Sequence, residues 1–64
     1  TFSQFVNEFR IAHACRLLGD DSMTIAAVSF ESGFNNLSHF NRQFKHITNL
    51  SPRAYRKNIR KVVS

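Results

Sequence analysis

At 64 residues the chain holds one domain at most. A chain this short buries only about 60% of the surface that its unfolded form exposes, which leaves no room for a deep enzymatic cavity and makes stability marginal. The formal charge is +5, nine Lys and Arg against four Asp and Glu, and its distribution is more informative than its sum. Residues 1–21 carry Arg10 and Arg16 against Glu8, Asp20 and Asp21, a net −1; residues 22–64 carry Arg42, Lys45, Arg53, Arg56, Lys57, Arg60 and Lys61 against Glu31 alone, a net +6. Such a field suits a polyanion, whose condensed counterions cationic side chains displace. An acidic protein or an anionic lipid surface is also compatible. The single cysteine, Cys15, excludes an internal disulfide framework, and a buried, inert thiol is expected there. With no apolar run of about eighteen residues and no charged-then-apolar leader, the sequence predicts a soluble, cytoplasmic protein. The start at Thr1 rather than Met points to an excised piece.

Alternating β-branched runs are absent, and the pattern predicts an all-α chain of four helices. The first opens on Thr1, whose hydroxyl can cap it, with Gln4 at capping-box spacing. It runs to about Leu18, where Gly19 can take the left-handed conformation at no Cβ cost. This helix is apolar on two sides: Phe2, Phe5, Val6, Phe9 and Ala12 gather on one arc, Ile11, Ala14, Cys15 and Leu18 on the opposite one. A helix apolar nearly all round is buried from more than one direction. The second arc is expected to pack on the helices that follow, and Phe5, Val6 and Phe9 to face a partner, either a preceding part of the same protein or a second copy.

After the polar Asp20-Asp21-Ser22 connection, the second helix is expected from Met23 or Thr24, capped by Ser22 or Thr24, to about Ser32. Gly33 supplies the sharp turn to the third. The third begins after Asn35 or Asn36, both good N-caps, and ends near Thr48, where Asn49 tolerates the left-handed region. At about 100° per residue, Phe40, Phe44 and Ile47 share a core stripe with Leu37 at its edge, and Ser38, Asn41, Arg42 and Lys45 fall on the opposite side. All four of the latter can donate hydrogen bonds. A solvated helix face would look the same. The short helix, the Gly-centred turn and the basic second helix together match the helix-turn-helix arrangement, in which the second helix enters the major groove by its N-terminal half.

In that setting Arg42 can meet guanine O6 and N7 bidentately, Asn41 can do likewise with adenine, and Ser38 can pair with several bases. Leu37 either packs half-buried or touches a thymine methyl. Lys45 lies later on the face and is expected at a phosphate, as are the backbone N–H groups around Asn36 and Leu37, which lack helical partners. The fourth helix has Ser51 as cap and Pro52 at its first position, where the missing N–H is not needed. Tyr55, Ile59 and Val62 form its apolar stripe, leaving Arg53, Arg56 and Lys57 outward as expected contacts to the DNA backbone; Arg60 and Lys61 serve equally well as a solvated tail.

The stretches RIAHACRLL at 10–18, TIAAVSFESGF at 24–34, NNLSHFNRQFK at 35–45 and NLSPRAYRK at 49–57 resemble the C-terminal part of the AraC/XylS family of bacterial transcription regulators. Gly33-Phe34, Phe40, Phe44-Lys45, Ser51-Pro52 and Tyr55-Arg56 carry the resemblance at family intervals. Ser29 stands where the family usually has Ala, and Asn49 where it usually has Gly. The resemblance implies two helix-turn-helix units joined by a long linker helix, with the linker at 1–18, the second unit at 23–47 and a C-terminal helix at 52–61. The first unit, packing on Phe5, Val6 and Phe9, and any sensing domain are then absent from this stretch. It also implies a reading helix that keeps Leu37, Ser38, Asn41 and Arg42 as base contacts, and RNA polymerase as a further candidate partner.

No constellation points to an enzyme or a cofactor. His39 and His46 are seven residues apart without Cys or carboxylate partners at ligand spacing, so no metal site is expected of these or of His13. The rival reading is a protein-interaction module that uses the apolar stripe of the first helix or the basic fourth helix.

Overall fold

The computed structural model describes residues 1–63, with side chains described through Ile59; the side chains of Arg60, Lys61 and Val62, named above, lie outside the described residues. Four helices follow in order: α1 (Phe2–Leu17), α2 (Ile25–Glu31), α3 (Leu37–Thr48) and α4 (Pro52–Val63). Each start is dictated by a side-chain oxygen that takes an otherwise orphaned backbone N–H. Thr1 Oγ1 accepts from the Gln4 N–H at 3.2 Å, Thr24 Oγ1 from Ala27 at 3.0 Å, Asn36 Oδ1 from His39 at 3.0 Å and Ser51 Oγ from Ala54 at 3.1 Å. Of the caps expected for α2, Thr24 is the one used. Ser22 instead donates its N–H and hydroxyl to Asp20 Oδ1, at 3.0 and 2.6 Å, and so shapes the connection before the helix.

The helix ends differ from one another. Gly33 has φ 98° and Asn49 has φ 66°, so both turn the chain through the left-handed region, as expected of them. Gly19, which is free to do the same, does not. Leu18 caps α1 in the right-handed region (φ −64°, ψ −17°), and the helix tightens into i→i+3 turns, with Gly19 N–H donating to Arg16 O at 3.2 Å and Asp20 N–H to Leu17 O at 3.0 Å. A left-handed residue is dispensable there because Arg56, from α4, takes the carbonyl oxygens of Leu18 at 3.0 Å and Asp20 at 3.1 Å. At the end of α3, Thr48 Oγ1 donates to Phe44 O at 2.8 Å and accepts from Leu50 N–H at 3.1 Å, closing the turn into α4.

One apolar core joins the elements. Ile11, Ala14 and Leu18 of α1 and its end, Val28 of α2, Phe34 of the turn, and Phe40 and Phe44 of α3 are all buried. The aromatic rings form a chain: Phe34 meets Phe40 at 5.3 Å between centroids, Phe40 meets Phe44 at 5.7 Å, and Phe44 meets Tyr55 of α4 edge-on at 5.5 Å. Two of these pairs are T-shaped and the middle one is tilted, so ring edges turn toward neighbouring faces, as the ring quadrupoles favour. Cys15 is half-buried against the core beside Tyr55; the hydrogen bond with its thiol, followed by burial, raises the Tyr55 phenol above its usual range.

The core uses one arc of α1 only. On the other, Phe2 is 82% exposed, Phe5 66% and Phe9 72%, with Val6 half-buried. The two-sided apolar pattern is therefore real in three dimensions, and one side is uncovered by the described residues.

Candidate nucleic-acid interface

The turn between α2 and α3 is held from both sides. Gly33 adopts a backbone conformation that a Cβ would strain, and a Cβ built there would lie 3.2 Å from Arg10 Nε. Arg10 reaches from α1 across this turn, with its guanidinium carbon 5.9 Å from the centre of the Phe34 ring, a distance at which the ring quadrupole attracts a cation. Behind the ring, Phe34 is buried and packs edge-on to His39 at 5.6 Å and to Phe40. Turn and α3 are thus one packed body. The contribution of Arg10 was not apparent in the sequence, where its spacing to Phe34 carries no periodic signal.

With Phe40 and Phe44 fully buried and Ile47 half-buried, α3 has its rotation fixed about its own axis. The opposite face then has to be outward: Ser38, Asn41, Arg42 and Lys45 are all exposed, and Leu37, at the edge, is 44% exposed. Leu37 thus sits between the two roles considered for it, partly packed and partly presented. Asn36 spends its side-chain oxygen on the His39 N–H, so its cap positions the first turn of α3. Lys45 donates to the Asn49 carbonyl at 3.2 Å in an exposed setting, where its ammonium complements the carbonyl end of the helix.

Leu37 and Asn41 line a groove of about 410 Å³ together with Ile25, Ser51, Pro52 and Arg53. Arg53 is exposed at the start of α4, so the fold brings a cation from one helix beside two reading candidates from another. The sequence marks Ser51 and Pro52 only as a helix start and gives Ile25 no role; their shared groove depends on how the helices are packed. Lys57 is exposed, whereas Arg56 is half-buried and its Nε and Nη2 are both engaged by backbone carbonyls. Of the five expected DNA-backbone contacts, Arg56 is the one whose guanidinium the fold draws inward.

Among the described residues, no three His, Cys, Asp or Glu side chains come together as a metal site, and no helix is long and apolar enough to cross a membrane. A short helix, a left-handed glycine turn and a second helix with its apolar stripe buried and its polar face free define a helix-turn-helix unit. The family model described as a helix-turn-helix domain matches residues 1–58. Over 55 residues the chain is 38% identical to an uncharacterized HTH-type transcriptional regulator of Staphylococcus aureus, covering 86% of this chain and 7% of that protein. Over 51 residues it is 35% identical to the MmsAB operon regulatory protein of Pseudomonas aeruginosa, covering 80% of this chain and 17% of that protein. The chain belongs to the AraC-type helix-turn-helix family of DNA-binding domains. It spans less than a fifth of the length of these relatives. No solved structure matches it.

Proposed function

We propose that this chain reads DNA sequence for a cytoplasmic transcription regulator by seating α3 in the major groove. Leu37, Ser38, Asn41 and Arg42 face the base edges, and the N–H groups at Asn36 and Leu37, with Lys45, Arg53 and Lys57, meet phosphates. The observation that carries this reading is the free polar face of α3, held rigidly outward by the buried Phe40 and Phe44 behind it. Rigid presentation matters because base readout is directional: a bidentate Arg or Asn contact requires the helix to hold one rotation in the groove. The test is duplex binding against salt. With ~3 to 5 phosphate contacts, log K falls against log salt with a slope of about −3 to −4.5. A flat dependence overturns the reading in favour of a protein partner. In the same assay Arg42→Ala relaxes base preference at one position by ~1 to 3 kcal/mol, whereas equal loss on all sequences makes Arg42 a phosphate contact.

The exposure of Phe2, Phe5 and Phe9 favours a second, compatible role for α1. Its outer arc receives a preceding helix-turn-helix unit of the same protein, making α1 a linker shared between two readers. Tight, specific binding by this stretch alone would count against that arrangement. RNA polymerase is a further partner of such a regulator, through surfaces that the bound DNA leaves open, and an enzymatic role forms no part of this proposal.

A further inference from the structure

The basic side chains of α4 divide by environment. Arg53 and Lys57 are exposed, whereas Arg56 between them is half-buried and reaches back to residues 38 and 36 positions earlier in the chain. Its Nε donates to Leu18 O at 3.0 Å and its Nη2 to Asp20 O at 3.1 Å. Those carbonyls lie at the negative end of α1, where a cation is favoured, and the planar fork of a guanidinium can hold two acceptors at once. The Asp20 carboxylate adds attraction to the same group.

We propose that Arg56 is a positioning residue for DNA binding: by clasping the end of α1, it sets the placement of α4 and hence of Arg53 on the rim of the reading groove. This inference rests on the DNA-binding reading above. It separates Arg56 from its neighbours, whose charge is what binds. Two donors to two carbonyls also make the site selective for Arg, because the ammonium of Lys is a point charge without the fork.

The experiment uses the full-length protein and a duplex obtained by binding-site selection, with affinity measured across a salt series at temperatures where circular dichroism shows each variant folded. R56Q is expected to bind about three- to tenfold more weakly with the wild-type salt slope, since a fraction of a charge-assisted hydrogen-bond pair is lost and no phosphate contact is. R56K, which keeps the charge and serves if R56Q does not fold, is also expected to bind severalfold more weakly. R53Q is expected to cost less in the R56Q background than in the wild type, because its placement has already been lost. A salt slope reduced by about 0.9 in R56Q overturns the proposal in favour of a phosphate contact. Wild-type affinity in folded R56Q or R56K, or equal costs for R53Q in both backgrounds, overturns it as well. If the wild type itself does not bind duplex, the DNA reading fails and this assignment fails with it; normal wild-type binding beside any of the other adverse results removes the assignment alone.

Discussion

Helices α1 and α3 are both rich in phenylalanine, and they use it in opposite ways. In α3, Phe40 and Phe44 are spaced to point inward and are completely buried, and the face behind them is polar and free. In α1 the three phenylalanines stand outward, while smaller or aliphatic residues, Ile11, Ala14 and Leu18, make the core contact. A buried stripe fixes a helix and so gives its other face a defined direction. An exposed stripe of similar composition indicates surface that another body can cover. The same residue type therefore fixes the orientation of one helix and leaves an uncovered apolar surface on the other.

The largest expected effect comes from breaking the inward stripe. Phe44→Ala removes a fully buried ring that also meets Phe40 and Tyr55, and is expected to cost ~3 to 5 kcal/mol in a denaturant melt, enough to unfold a domain of this size. Survival of a cooperative transition with a loss under ~1 kcal/mol would show that the aromatic chain is not the core's support. Next in size is Gly33→Ala, which forces a side chain into φ 98° and against the flexible Arg10; a loss of ~1 to 2 kcal/mol is expected by thermal melt.

The outward stripe should behave in the reverse manner. Phe5→Ser with Phe9→Ser is expected to change the stability of this stretch alone by no more than ~0.5 kcal/mol, because neither ring is buried by it. In the full-length protein the same pair is expected to lower the melting temperature by several degrees, if a preceding unit packs there; equal, small effects in both settings would mean the stripe is uncovered in the protein too. The smallest effect concerns the connection between α1 and α2. The Ser22 hydroxyl and then its N–H, with a smaller contribution from Arg56, hold the Asp20 carboxyl below its ordinary value of 3.8. Because the folded-state value is the lower one, the stabilisation is present above pH 3.8 and is lost as pH falls through the folded value. An acid titration of Asp20→Asn should lack that component, whereas an unchanged acid limb would assign the effect to other carboxylates.

Helix starts were legible because a cap is local: the oxygen and the N–H it takes are three residues apart at Thr1, Thr24, Asn36 and Ser51 alike. The choice between Ser22 and Thr24 was not, since both are competent and the Asp20 carboxylate decides it by engaging Ser22. The end of α1 falls where the pattern places it, but how it is closed was not legible, for a related reason. A glycine after a helix permits the left-handed turn without requiring it, and here a guanidinium 38 residues away satisfies the carbonyl instead.

The sequence by itself determined four helices, the turn at Gly33, which face of α3 is apolar and which arc of α1 would be left over, because these depend on periodicity and on contacts a few residues apart. Only the tertiary structure decided that Arg10 braces the turn, that Leu37, Asn41 and Arg53 share a groove, and that Arg56 belongs to α1 while Arg53 and Lys57 face outward. A long basic side chain has the same charge and nearly the same reach wherever it stands. Which oxygen it meets is settled by the packing of helices distant in sequence, and periodicity contains no record of that.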